Sequence, residues 1–289
     1  MKANNTILVS GASGHLGQMV SKKLIEIASA HTHIILASRN TEKLAQFKGK
    51  NVEVREIDFN DPDKTKKALN GVNQFLIIST DAIGSRFDQH KVAIDAAKAN
   101  SVERIIYTSW PEPKNSVAMV APEHKETEDY LEKSGINFTL LRNSLYSENL
   151  LGSVKNALET GKIYGSAVKG SHTFVSRSDC ANAAAYALIK EEKGNKIYNI
   201  TGDQNYSYYD LAQILTELSS KKVEYINLSD DEFKNALTSS GLPEIWADVF
   251  VSFDKAHRLG EAQTATKDIQ ELTGKSPETL KEFLKRNIL

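Results

Sequence analysis

Apolar positions in the first half of the chain follow two alternating rhythms. Short apolar, β-branched runs, namely TILVS (6–10), HIILAS (33–38), NQFLIIST (73–80), RIIYTS (104–109) and NFTLLRN (137–143), have the length and composition of strands. NVEVREID (51–58) alternates apolar and polar positions, as an edge or half-covered strand does. Helical patterns lie between these runs. HLGQMVSKKLIEIAS (15–29) places Leu16, Val20, Leu24 and Ile27 on one face, and TEKLAQF (41–47) is a short helix with Thr41 as a plausible N-cap. DPDKTKKALNG (61–71) has Pro62 in its first turn and Gly71 after its end; 85–100 and 122–134, the latter closed by Gly135, are further helices. Six strands alternating with helices over short connections predict an α/β fold, a Rossmann-like doubly wound parallel sheet with helices on both faces.

After about residue 145 the rhythm changes. Helical segments dominate, at 146–160, 178–190, 207–220, 229–240, 243–252 and 277–286, with short strands near 174–176, 196–200 and 223–227. This half reads as a smaller, mostly helical C-terminal lobe. The expected division is 1–145 and 146–289, with segments around 162–200 free to return to the sheet. A cleft between the two parts is the default ligand site.

Composition narrows the function classes. The 289 residues are 40% hydrophobic and 25% charged, an ordinary globular balance. The net charge of −1 gives no broad field for nucleic acid or anionic lipid. A single cysteine, Cys180, excludes an intramolecular disulfide and fits a reducing cytoplasm. The opening MKANNTILVSG has no apolar signal core, and no run of apolar residues is long enough to span a bilayer. The expectation is a cytoplasmic protein with no nucleic-acid or membrane partner, with room for a homodimer.

The stretch GASGHLG puts Gly11, Gly14 and Gly17 between a strand and a helix. Glycines there let the backbone turn sharply and approach a pyrophosphate, and the helix start offers unpaired N–H groups and a positive dipole end. Gly11, Ser13, Gly14, His15, Leu16 and Gly17 are therefore expected contacts of a dinucleotide. A bare strand–helix turn that merely uses glycine is the plain alternative. No Gly-Lys-Ser/Thr follows, so this is no Walker-type loop. The second strand ends in ASRN, with Arg39 where NAD-specific sites carry an acid, and Lys43 one helical turn on. Arg39 can pair with a 2′-phosphate, so NADP(H) is favoured over NAD(H). Asp58 and Phe59, after strand three, suit the adenine amino group and ring; Ser79 and Thr80 end strand four at the carboxyl edge.

The set GASGHLG, SRN, DF, LLRNSLYSEN (140–149), YNITGD (198–203) and EHKETEDYL (123–131) resembles the NmrA-like atypical short-chain dehydrogenase/reductases. Within them it resembles the bacterial NADPH:quinone oxidoreductases and triphenylmethane reductases. The resemblance covers nearly the whole chain and implies a Rossmann domain, a small C-terminal lobe and NADPH in the cleft. Short-chain dehydrogenases normally carry Tyr-x-x-x-Lys on the helix after strand five, a proton donor and the cation that tunes it. The matching positions here are Val120 and His124, so the pair is missing. Tyr107, inside strand five, and Tyr130, with Ser134 rather than lysine after it, are poor substitutes.

Without that pair, direct hydride transfer to a quinone or similar planar electrophile remains open, the protein mainly aligning donor and acceptor. His124 is a candidate for ribose or substrate contact, or an exposed helix histidine. Asn143 follows strand six, where its amide could meet the nicotinamide or cap the next helix. Tyr146 and Trp110 could wall a planar acceptor, or be lobe-packing core. His31 and His33 lack a nearby acid or cysteine for zinc, and Cys180 reads as a small buried residue. The leading expectation is an NADPH-dependent reductase of a small quinone-like acceptor. The alternative is a non-catalytic NADP(H)-binding redox sensor of the NmrA type. Sugar-nucleotide epimerisation needs the missing acid/base.

Overall fold

A computed structural model describes residues 5–47, 49 and 51–288. In chain order the first half runs β1 (Asn5–Val9), α1 (His15–Ile27), β2 (Thr32–Ser38), β3 (Val52–Glu56), α2 (Pro62–Ala68), β4 (Gln74–Ile77), α3 (Arg86–Ala99), β5 (Arg104–Ser109), α4 (Ala121–Ser134) and β6 (Asn137–Asn143). The second half continues with α5 (Leu151–Thr160), β7 (Lys162–Gly165), β8 (Ser171–His172), α6 (Arg177–Ile189), β9 (Lys196–Ile200), β10 (Tyr206–Ser207), α7 (Tyr208–Ser219), β11 (Glu224–Asn227), α8 (Asp230–Ser239), α9 (Glu244–Arg258), α10 (Asp268–Thr273) and α11 (Leu280–Ile288).

Seven parallel strands form the sheet in the order β3-β2-β1-β4-β5-β6-β9. The order reverses between β1 and β4, which opens a crevice at the carboxyl ends of those strands. Alternate side chains feed two cores. Ile7, Val9, Leu36, Leu76, Ile106, Leu141 and Ile200 pack under α1 and α6, whereas Leu8, Ile35, Ile77, Ile105, Tyr107 and Leu140 pack under α2, α3 and α4. Both faces are covered, so the central strands are apolar throughout. A third core, centred on Val154, Ile163, Leu215, Phe253 and Phe283, belongs to the lobe.

The second half thus contributes to both layers. Residues 177–200 supply α6 and β9 to the sheet, whereas β7, at 162–165, pairs with β11 away from it. Cys180 lies in the core under α6, 1% exposed, and burial pushes its thiol well above the usual range.

Several expected elements change. The sheet has seven strands, not six. Residues 42–47 form a 3-10 helix, and the strand expected over 51–58 ends at Glu56, leaving Asp58 and Phe59 in the following turn. The strand expected at 174–176 is a single bridge from Val175 to Tyr146. Residues 147–150 are a 3-10 turn before α5, and α9 reaches Arg258 rather than residue 252. β7, β8, β10 and α10, all short, had no periodic signal long enough to announce them. Asp61 does cap α2, its carboxylate accepting from Lys64 N at 3.0 Å with Pro62 next in line.

Candidate active site

The glycine loop follows β1 and is tied to both neighbouring strands. Ser10 N donates to Leu76 O at 3.0 Å, Ala12 N to Ala37 O at 3.1 Å, and Gly14 N to Gly11 O at 3.0 Å. Gly11 has φ +63°, a conformation costly for other residues. A Cβ on Gly17 would stand 2.1 Å from Gly11 O and 2.7 Å from Ala12 Cα, so the start of α1 can lie against the loop only with glycine there. Gly14, the N-cap, brings no capping side chain, so the first N–H groups of α1 have no partner of their own.

A cavity of about 440 Å³ opens at this point. Of the expected cofactor residues it is lined by Gly11, Ser13 and Gly14 from the loop, Arg39 and Lys43 after β2, Asp58 and Phe59 after β3, and Ser79 and Thr80 after β4. His15, Leu16, Gly17 and Asn143 do not line it. Leu16 points into the core under α1, so any role it has toward a ligand falls to its backbone. Ser13 Oγ meets Ser38 Oγ at 2.5 Å and fastens the loop to the end of β2. Arg39 and Lys43 are exposed, and neither has an ion-pair partner among the described residues. Asp58 accepts from Asn60 N and Nδ2 at 3.0 and 3.1 Å, and Phe59 packs edge-on against Phe75.

Past Thr80 the cavity wall rests on a buried polar network. Thr80 N donates to His90 Nε2 at 3.2 Å, and Arg86 Nε donates to Thr80 O at 2.7 Å. An imidazole nitrogen that accepts from a backbone N–H carries no proton, so neutral His90 holds its proton on Nδ1, 3.0 Å from Thr127 Oγ1. Burial, with Arg86 adding to it, pushes His90 down to about 3. Thr80 Oγ1 and Arg86 Nη1 are buried without a hydrogen-bond partner.

His124 has the opposite arrangement. Tyr107 Oη lies 2.6 Å from its Nδ1. With Tyr107 as the donor, Nδ1 accepts and the His124 proton lies on Nε2, which has no hydrogen-bond partner among the described residues. His124 is 6% exposed, not an exposed helix residue, and burial, then Arg86 and His90, hold it well below the usual histidine range. Burial likewise raises the Tyr107 phenol. Val120, four residues earlier, is buried and apolar.

Asn143 ends β6. Its Nδ2 donates to Tyr146 Oη at 3.2 Å, while its Oδ1 is buried and unpartnered. Tyr146 lies under the Arg177 guanidinium, 5.1 Å from the ring centre. The backbone between them is braced: Ser144 N donates to Ile200 O at 2.9 Å and Leu145 N to His172 Nε2 at 3.1 Å. Trp110 is core packing rather than a wall. It stacks on Phe253 at 4.9 Å, donates from Nε1 to Ser116 Oγ, and lines neither large cavity.

A second cavity, about 340 Å³, lies farther along the carboxyl edge, between the ends of β5, β6 and β9 and residues 260–266 of the lobe. Arg142 lines it while pairing with Glu128 of α4. Sequence reasoning missed this pair, the Arg86–His90 network and Tyr107. Tyr107 was set aside as a strand residue, yet strand alternation puts 107 on the same face as Ile105, toward α4 and His124. It also missed an acid near His33: Glu53 of the adjacent strand reaches His33 Nε2 at 2.9 Å.

The switch-point crevice, glycine loop and parallel order define a Rossmann-type dinucleotide fold. The model of the NmrA-like family matches residues 3–284, and the chain belongs to that family. It is 38% identical to quinone oxidoreductase 2 of Escherichia coli K12 over 276 residues, 96% of each chain. The structure of the E. coli NADPH-dependent quinone oxidoreductase QOR2 complexed with NADPH superposes with a TM-score of 0.93 at 37% identity, covering 98% of this chain and all of that one. Citrobacter sp. triphenylmethane reductase complexed with NADP(H) gives a TM-score of 0.90 at 36% identity, over 98% of this chain and all of that one.

Proposed function

We propose that this protein is an NADPH-dependent oxidoreductase that passes hydride to a quinone or similar planar electrophile without a Tyr-x-x-x-Lys pair. The observation that carries this reading is the cavity behind GASGHLG, where a glycine cradle meets two cations, Arg39 and Lys43, with no ion-pair partner among the described residues. Its relatives include a quinone oxidoreductase crystallised with NADPH and a dye reductase crystallised with NADP(H). The residues fit such a cofactor. Gly17 lets the start of α1 lie directly against the loop, and Thr80 Oγ1 and Asn143 Oδ1 are buried polar atoms with no hydrogen-bond partner among the described residues.

In this reading the loop glycines, Ser13 and the first N–H groups of α1 hold the pyrophosphate. Arg39 and Lys43 take the 2′-phosphate, Asp58 and Phe59 the adenine, and Ser79, Thr80 and Asn143 the nicotinamide half. NADPH, when bound, supplies the hydride. Val120 and His124 replace the usual acid/base pair, so the chain's part is to align the acceptor and stabilise the charge that develops on its oxygen. His124 lines neither cavity, but with Tyr107 donating to its Nδ1 its Nε2–H is the donor offered to that oxygen, and the product proton comes from water.

Purified protein mixed with NADPH and a panel of quinones should consume the reduced nicotinamide absorbance, faster with NADPH than with NADH. Tight NADPH binding with no turnover of any quinone or dye overturns the reductase and leaves the sensor reading.

A further inference from the structure

Resting on the reductase reading, we infer that the second cavity is the specificity site for the acceptor's substituent and selects neutral, oxygen-bearing groups over alkyl groups of the same size and over anions. Its position suits this. Ser144 and Pro111 in its wall directly follow Asn143 and Trp110, and both cavities open on the carboxyl edge of one sheet.

The chemistry of its wall sets the preference. No aromatic residue lines it. Arg142 donates from Nε to Glu128 Oε1 at 3.1 Å and from Nη2 to Oε2 at 2.7 Å, and Ser109 Oγ donates to the same Oε1 at 2.6 Å. The guanidinium is therefore held rigidly and its charge is balanced, while Nη1 has no hydrogen-bond partner among the described residues. Asn199 is fixed through its backbone, N to Asp268 Oδ2 and O from Thr266 Oγ1, both at 2.6 Å, and its side-chain amide has no partner among the described residues. Glu112 and Glu261 add two carboxylates with no ion-pair partner among the described residues. Glu261 Oε1 accepts from Val117 N at 2.9 Å, and Glu112 sits at φ +40°. A hydroxyl or carbonyl on the acceptor can exchange hydrogen bonds with the Arg142 and Asn199 donors. An ethyl group leaves them unpaired, and a carboxylate meets two like charges.

The test uses para-benzoquinones carrying hydroxymethyl, ethyl or carboxylate substituents, with kcat/KM measured for wild type and variants. Intrinsic reactivity cancels when each variant is divided by wild type. Asn199→Leu should lower kcat/KM for the hydroxymethyl quinone about fivefold more than for the ethyl one, the size of one neutral hydrogen bond. Glu112→Gln, at an exposed position that tolerates the change, should raise it for the carboxylate about threefold more than for the ethyl quinone. Unchanged ratios in both variants overturn the inference. If no quinone turns over, the reductase reading has failed, and the cavity is read without chemistry. In that case para-(hydroxymethyl)phenol should shift the NMR signal of the Asn199 side-chain amide while para-ethylphenol does not. Equal or absent shifts overturn the inference there as well.

Discussion

The two ends of the candidate site are built differently. The end under Gly11, Arg39 and Asp58 is made of backbone, glycine and exposed cations, all within a few residues of three strand ends. The end around His124, Asn143 and Arg142 is made of buried and half-buried polar side chains held mostly from other elements: Tyr107 for His124, Glu128 for Arg142, and Arg177 over the Tyr146 that holds Asn143. On the proposed reading the first end takes the cofactor through shape and charge that any chain of this fold can reuse. The second depends on tautomers and pairings, so it is where one relative can differ from another in chemistry.

The contrast can be broken most forcefully at Gly17. Gly17→Ala drives a methyl into the Gly11 carbonyl, and should destabilise the fold by about 1–3 kcal/mol and abolish NADPH binding. Urea unfolding together with a cofactor titration checks both parts, and normal NADPH affinity in this variant would mean that the loop is not the cradle. Arg39→Asp should weaken NADPH by about 1.5–3 kcal/mol while leaving NADH little changed, because one charge-assisted contact is lost. Equal losses for the two cofactors in calorimetry would show that Arg39 does not read the phosphate.

Acid should sharpen the contrast. His90 is held neutral, with its pKa lowered to about 3 from 6.5. As pH falls below about 6.5 the unfolded chain binds a proton that the folded chain refuses. The stability contributed is therefore full above that pH and lost on acidification toward about 3, by roughly 1.4 kcal/mol per pH unit for each such histidine. His124 acts in the same direction, as do His172 and His257 in the lobe, whereas Asp254, raised by burial to about 6, acts in the opposite one. His90→Gln should flatten the pH dependence of urea unfolding by one proton. An unchanged slope would mean that His90 is solvated.

The smallest effect is expected at Tyr107. Tyr107→Phe removes one hydrogen bond, about 0.5–1.5 kcal/mol, and frees the His124 tautomer. Turnover should fall several-fold with NADPH affinity unaltered, and His124→Gln, whose amide donates without tautomerism, should make turnover insensitive to Tyr107→Phe. Nitrogen NMR of the His124 ring decides the assignment directly: a proton on Nδ1 contradicts it.

The same division explains what could be read in the sequence. Strand and helix periodicity from Thr6 to Asn143 is local, so the sheet, the glycine loop and the Arg39 side of the cavity were legible. What escaped was non-local. The strand at 196–200 is legible, but its place beside β6 is not fixed by any nearby pattern, since the paired Thr139 and Lys196 lie 57 positions apart in the chain. Trp110 looked equally like a wall or a core residue until Phe253, from the far end of the chain, settled its surroundings. His124 stays open between a ligand contact and an exposed helix position in the sequence because the Tyr107 side chain beside it belongs to a different element.

The single cysteine takes on meaning in this light. Quinones are Michael acceptors that arylate accessible thiolates. Cys180 is sealed under α6, and its thiol is kept protonated by burial. On the proposed reading such electrophiles would meet no exposed thiol on this chain, since its one cysteine lies out of their reach.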